Sequence, residues 1–390
     1  MTPAARVAAA IEILDLVLSG EPAERCLTTW ARNNRFAGSK DRAAIRDHVY
    51  DALRCRESFA RLGGAKSGRG LMIGACRSQN VTLGEVFSGV GHAPAPLTAT
   101  EEAALLAPVP EGLELLDWPD WLLPQLKADL GEDFVAVSLA QRERAPLFLR
   151  VNLAKTTREK AMAMLRRDDI DAEPHPAAST ALKVVQGARK LRLAQAYLDG
   201  SVELQDLASQ IAIEALPLDG VASALDFCAG GGGKALALAA RAPKLRLSAH
   251  DIDAGRMKDL PLRAERAGAW IDLLPPGAVT GQWNMVLVDA PCSGSGTWRR
   301  TPDAKWQLLP ERLDALVALQ SEILQAASRY VAPEGYLVYM TCSLLHCENI
   351  AQAEQFAVNP EWQWVEHRQL TTQDGSDGFF YSVFKRMNAE

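Results

Sequence analysis

The 390-residue sequence has no apolar run approaching the ~20 residues that a bilayer-spanning helix requires, so no membrane span is expected. Its seven cysteines, Cys26, Cys55, Cys76, Cys228, Cys292, Cys342 and Cys347, are odd in number and scattered, with no CxxC pair. This argues against both a disulfide framework and a zinc ribbon. His346 lies between Cys342 and Cys347, but no second ligand pair accompanies them, and no metal is expected. An excess of basic charge is also missing. The net charge is −6, which excludes a uniformly basic nucleic-acid binder and leaves only local patches for such contacts. The opening residues Met1-Thr2-Pro3-Ala4 lead into an acid-bearing amphipathic segment and lack the regions of a secretory signal, so a cytoplasmic location with reduced thiols is expected. No internal repeat is visible. A GxxxxGK[ST] phosphate loop and a clean GxGxxG are absent, which excludes the first nucleotide-binding class and weakens a dinucleotide reading.

What is present has ordinary globular proportions, 48% apolar and 23% charged residues, in a chain long enough for two or three domains with their own cores. Thr2-Pro3 reads as an N-cap and first helical residue, and Val7, Ile11, Leu14 and Leu18 repeat on one helical face. A second helix starts near Ser39-Lys40-Asp41, with Ile45, Val49 and Leu53 along its buried stripe. Arg32, Arg35, Lys40, Arg42, Arg46, Arg54, Arg56 and Arg61 outnumber the acids around them. They form either a phosphate-binding face or a solvated helix face with intrahelical ion pairs. Residues 63–107 are rich in glycine, proline and small residues and give only weak helical signals.

The pattern changes after Pro146. Leu147 to Asn152 alternates as a strand, Thr156-Thr157-Arg158-Glu159 opens a helix, and Leu182 to Val185 and Leu191 to Leu193 read as further short strands. From Ala222 onward, strand-length apolar runs alternate with helical patterns. The runs are Ala224 to Phe227, Leu245 to His250, Met285 to Val288 and Tyr336 to Met340, and Phe379 to Phe384 adds a terminal, antiparallel strand. The expected fold class is therefore α/β. A doubly wound, mostly parallel sheet spans 214–390, preceded by a small α+β subdomain over 137–213 and an all-α domain over 1–136.

Chemistry gathers at the strand ends of the last domain. Asp226-Phe227 is followed by Cys228, Ala229, Gly230, Gly231, Gly232, Gly233 and Lys234, a loop whose glycines let the backbone approach a ligand and whose helix start presents free N–H groups. Asp251, at the end of the next strand, can accept both ribose hydroxyls. Together with Asp289, these features make an adenosyl-cofactor site, with S-adenosylmethionine favoured over NAD. Val288-Asp289-Ala290-Pro291-Cys292-Ser293-Gly294-Ser295-Gly296 sets an acid and a thiol where a buried strand gives way to a loop, and Met340-Thr341-Cys342-Ser343 ends another strand in a second thiol. Carbon 5 of cytosine is too electron-poor to take a methyl group directly. A thiolate adding to carbon 6 turns carbon 5 into a nucleophile, and an acid such as Asp289 at ring N3 eases that addition. A second thiol can then assist release. From the residues alone, either cysteine is a candidate for the attack.

Asp289 to Gly296 with its continuation Arg299-Arg300-Thr301-Pro302-Asp303-Ala304-Lys305-Trp306, Thr341-Cys342-Ser343, the Cys228 to Lys234 loop and Asp377-Gly378-Phe379-Phe380 together resemble the RsmB/Nop/Sun family of RNA 5-methylcytosine methyltransferases. The resemblance implies a Rossmann-like class I methyltransferase domain. In it, Cys342 attacks, Cys292 promotes product release, Asp289 lies between cofactor and base, and Cys228 to Lys234 with Asp251 bind S-adenosylmethionine. It further implies an RNA substrate, 16S ribosomal RNA, and a NusB-like N-terminal domain. Arg299, Arg300, Lys305 and Arg42 are the candidates for RNA contact, with structural ion pairing the alternative. A monomer is expected. A transfer-RNA cytosine methyltransferase and a catalytically weak RNA-binding assembly factor are the alternatives. Three positions depart from the family pattern. Gly231 replaces a proline, so a more flexible loop is expected. The acid after the third strand is missing, Asp272 lying too early. His346-Cys347 precedes Glu348-Asn349, and no catalytic role is assigned to this pair.

Overall fold

Helix Pro3–Leu18 begins where its sequence dictates, the Thr2 hydroxyl accepting the Ala5 N–H at 3.2 Å with proline in the first turn. Its stripe of Val7, Ala10, Ile13, Leu14 and Val17 shares one core with Ile45, Val49 and Leu53 of helix Ser39–Arg54. The computed structural model describes residues 1–388 except 110, 113, 114 and 116. Helix Gly68–Ser78, which the small-residue composition of 63–107 conceals, adds Leu71, Met72 and Ile73 to the same core. Its glycines serve packing: a Cβ on Gly74 would lie 2.0 Å from the Phe59 carbonyl oxygen, so the two helix backbones touch there.

The chain falls into two compact units, Met1–Ala145 with Trp298–Leu309, and Pro146–Thr297 with Pro310–Glu390. The first unit contains the residues of the expected helical domain, and the second contains both the small antiparallel sheet and the large sheet. Segment Trp298–Leu309 is built into the helical unit. The Lys305 ammonium donates to the Arg54 carbonyl at 3.1 Å and the Asp117 carbonyl at 2.6 Å, and the Trp306 indole donates to the Leu53 carbonyl at 2.7 Å. Arg54 and Leu53 end helix Ser39–Arg54, whose last carbonyls need such donors. The Arg54 guanidinium in turn donates to the Arg299 carbonyl at 2.7 Å. Lys305 and Arg299, expected at an RNA surface, are therefore both buried. Burial pushes the Lys305 pKa down to about 8 despite the nearby Asp117 carboxylate. Arg300 is half-buried, and Arg42 is exposed on helix Ser39–Arg54.

In the second unit, strands β1 (Leu147–Val151), β2 (Asp171–Pro174), β3 (Ala181–Gln186) and β4 (Val202–Leu204) form an antiparallel sheet in the order β2-β3-β1-β4. The Thr157 hydroxyl caps helix Arg158–Arg167 as its sequence suggests, accepting the Lys160 N–H at 3.3 Å. The strand expected at Leu191 to Leu193 is instead a 3-10 turn, Ala188–Leu193, which buries Leu191. Alternation over so short a run does not separate the two conformations.

The large sheet consists of β5 (Ser223–Asp226), β6 (Arg246–His250), β7 (Ile271–Leu274), β8 (Trp283–Asp289), β9 (Val331–Thr341), β10 (Trp362–Leu370) and β11 (Phe379–Arg386). Their order is β10-β11-β9-β8-β5-β6-β7, parallel from β5 through β9 and antiparallel at β10 and β11. Ala224, Met285, Leu287, Val338 and Met340 pack into one core, and Leu225, Val286, Val288, Leu337 and Tyr339 into another. Burial on both faces is why these strands read as continuous apolar runs. Among the described residues no helix is long and apolar enough to cross a membrane. Because Lys305→Ala would leave two buried carbonyls without their donor, it is expected to cost about 3 kcal/mol, read from the midpoint of denaturant unfolding.

Candidate active site

The parallel pairing of β8 with β9 sets Asp289 opposite Met340, so the two cysteine loops leave adjacent strand ends. Backbone hydrogen bonds carry the pairing past the strands: the Ala290 N–H donates to the Met340 carbonyl at 2.9 Å and the Gly296 N–H to the Cys342 carbonyl at 3.0 Å. The Cys292 and Cys342 sulfurs lie 3.4 Å apart as free thiols. The expected pair of neighbouring thiols is thus formed. The Asp377-Gly378-Phe379-Phe380 signature joins the same edge, the Gly378 N–H donating to the Gly296 carbonyl at 3.0 Å.

On the other side of β8, β5 ends in Asp226 and the glycine loop turns into helix Gly233–Arg241. Gly232 makes that turn at φ +76°, and a Cβ there would lie 2.2 Å from a Leu260 methyl. The turn places Lys234 in the first helical turn with its ammonium 2.5 Å from Asp289 and 5.3 Å from the Phe379 ring centre. Burial opposes the Lys234 charge, but Asp289, Asp226 and Cys342 outweigh it and hold the pKa above the ordinary lysine value.

Three acids converge here with different surroundings. Asp289 is paired with Lys234. Asp226 is buried, and neither carboxyl oxygen has a hydrogen bond of good geometry; burial, with Asp289 nearby, pushes its pKa up to about 7. Asp251 is buried and braces the loop, accepting the Gly230 N–H at 2.9 Å and the Asp253 N–H at 3.0 Å, with the Arg256 guanidinium 3.2 Å away. Its carboxylate is therefore already engaged by backbone, whereas Asp253, two residues on and not singled out from sequence, is exposed. The Gly231 carbonyl accepts from Arg263. Asp272 is exposed within β7, opposite Ser248 of β6.

The hydrogen bond with Cys342, then burial and the charges of Cys342 and Glu348, push the Cys292 pKa well above the ordinary thiol value. Burial, with Asp226, Asp289 and Asp251 behind it, pushes Cys228 up as well. Among the described residues no group of histidine, cysteine and acidic side chains is placed to hold a metal ion.

Residues 215–385 match the family described as 16S rRNA methyltransferase RsmB/F, and residues 118–189 match the ferredoxin-like domain of RsmF/B-like proteins. A ribosomal RNA small subunit methyltransferase B from Pasteurella multocida is 32% identical over 315 residues, which are 74% of this chain and 69% of the relative. The chain belongs to the RsmB/F family. The protein of the same name from Xanthomonas campestris is 37% identical over 288 residues, 68% of this chain and 66% of that protein. The chain thus spans about two thirds of the length of the curated relatives it matches. The crystal structure of PH0851 covers 99% of both chains with a TM-score of 0.75 at 22% identity, a likeness of fold.

The adenosyl group that this family implies fits the residues present. Asp226, buried at the end of β5 where the glycine loop begins, offers carboxyl oxygens that carry no hydrogen bond of good geometry. Because the folded pKa of Asp226 lies above its ordinary 3.8, the favourable contribution of its neutral form is full below pH 3.8 and is lost as pH rises through about 7. Comparing wild type with Asp226→Asn, the melting-temperature difference should shift in favour of the variant across that window, and a constant difference would refute the assignment.

Proposed function

We propose that the chain transfers a methyl group from S-adenosylmethionine to carbon 5 of a cytosine in RNA, 16S ribosomal RNA being the substrate class. The observation that carries this reading is the pair of thiols 3.4 Å apart at the strand ends beside the Lys234–Asp289 ion pair. Bound S-adenosylmethionine supplies an electrophilic methyl group; the glycine loop, with Asp226 beneath it and Asp251 bracing it, is the site that would hold it. Cys342 is the nucleophile. As the thiolate its sulfur adds to carbon 6 of cytosine, with the Lys234 ammonium nearby. Asp289, held by Lys234 and pointing to the same edge, orients the base at N3. After carbon 5 is methylated, its proton leaves to a base, the electron pair re-forms the double bond, and Cys342 departs as thiolate. Cys292, which holds its proton tightly, donates an S–H to that departing sulfur and speeds its release.

The helical unit offers the contact surface for RNA. Arg32, Arg35, Lys40 and Arg42 are exposed, and Phe36 among them is 74% exposed, a combination of phosphate neutralisation and stacking. This moves the expected contacts away from Arg299 and Lys305 and keeps Arg42. A monomer acting in the cytoplasm completes the proposal.

The test is methyl transfer from labelled cofactor to total RNA. Cys342→Ala should be inactive and form no adduct, whereas Cys292→Ala should accumulate a covalent protein–RNA complex visible on denaturing gels. Activity in Cys342→Ala with none in Cys292→Ala would reverse the two roles. Methylation confined to transfer RNA would move the substrate class, and cofactor binding without methylation of any RNA would favour an assembly factor.

A further inference from the structure

Glu348 is fully buried at the end of a 3-10 turn, His346–Glu348, between the two cysteine loops. One carboxylate oxygen accepts the Ser293 N–H at 2.7 Å and the Gln320 side-chain amide at 3.0 Å. The other accepts the hydroxyls of Ser293 and Ser343, each at 2.5 Å. Ser293 follows Cys292 and Ser343 follows Cys342 in the chain. A single carboxylate therefore holds the residue next to each thiol. A second stitch lies beside it: the Ser295 and Ser343 hydroxyls are 3.0 Å apart, and the Leu344 N–H donates to the Ser295 hydroxyl at 2.8 Å. Gln320, from helix Pro310–Ser328, also donates to the Pro291 carbonyl at 3.0 Å, fixing the residue before Cys292.

We infer that Glu348 is a positioning residue for the two-thiol site, tying the Cys292 and Cys342 loops together so that the sulfurs stay in contact through attack and release. The inference rests on the methyl-transfer reading for its consequence but not for its geometry. Two strand ends alone leave each loop its own freedom beyond the last ladder bond. Four hydrogen bonds to one buried carboxylate remove that freedom, because none of the donors is replaced by water when it moves. In Glu348→Gln, one oxygen becomes an amide nitrogen that donates instead of accepting, so one half of the clamp is lost at nearly constant volume.

The separation of the thiols is measured on the full chain without RNA, by equilibrating it with oxidised and reduced glutathione. Formation of the Cys292–Cys342 disulfide converts one oxidised glutathione to two reduced ones, and the two protein thiols supply the protons and electrons. The effective concentration of one thiol at the other, read by alkylation and peptide mass spectrometry, is expected to fall about tenfold in Glu348→Gln and by a smaller factor in Ser343→Ala. In methyl transfer, Glu348→Gln should lower kcat by about 100-fold while KM for RNA and cofactor stays within about twofold. A folded Glu348→Gln with a wild-type thiol equilibrium overturns the inference whatever its activity, since a merely stabilising residue lowers the melting temperature and leaves that equilibrium alone. Should Glu348→Gln fail to fold, Ser343→Ala decides in the same way. A reduced effective concentration in a chain that methylates no RNA sustains the clamp and refutes only the proposed reaction.

Discussion

The parallel hydrogen bonding of β8 to β9 is the constraint on which the rest of this molecule depends. It sets Asp289 opposite Met340 and so delivers Asp289, Cys292 and Cys342 to one edge. β5, on the other side of β8, adds Asp226 and the loop that carries Lys234. Parallel strands all end on the same side, and backbone groups beyond the last ladder bond are there free to turn toward a ligand. Had β9 run antiparallel to β8, Cys342 would lie at the opposite edge of the sheet and no arrangement of loops would bring it to Cys292.

The charges at that edge are sorted by how each carboxylate is satisfied. Asp251 is engaged by two backbone N–H groups and by Arg256, Asp289 by Lys234, and Asp226 by no well-formed hydrogen bond. Burial and the nearby Asp289 push the Asp226 pKa up to about 7. Asp289, Asp226 and Cys342 all act on the ammonium of Lys234 and hold its pKa above the ordinary lysine value. The hydrogen bond with Cys342 and burial raise the Cys292 pKa above that of an ordinary thiol.

The basic residues illustrate a different principle. Arg299 and Lys305 follow the Cys292 loop in sequence and look like phosphate contacts, yet segment Trp298–Leu309 is part of the helical unit, with both residues buried. A lysine whose ammonium donates to the Arg54 and Asp117 carbonyls and lies over the Trp118 and Trp306 rings cannot be distinguished by type from one that faces a phosphate. Burial is a property of the neighbours, and here the neighbours come from residues 53, 54, 117 and 118.

By itself, the sequence determined the α/β class, the strands β5, β6, β8, β9 and β11, the helix caps at Thr2 and Thr157, the glycine loop and both cysteines. Each is encoded locally, in a run of apolar residues, a hydroxyl before a helix or a motif of adjacent residues. Helix Gly68–Ser78 was hidden because its glycines report on packing against another helix, and β10 because an edge strand with one exposed face carries a weak apolar signal. Tertiary structure alone decided the distance between the thiols, the brace on Asp251, the burial of Lys305 and the placement of Glu348. All four depend on groups distant in the chain being brought within hydrogen-bonding range, and no local pattern specifies which of them will meet.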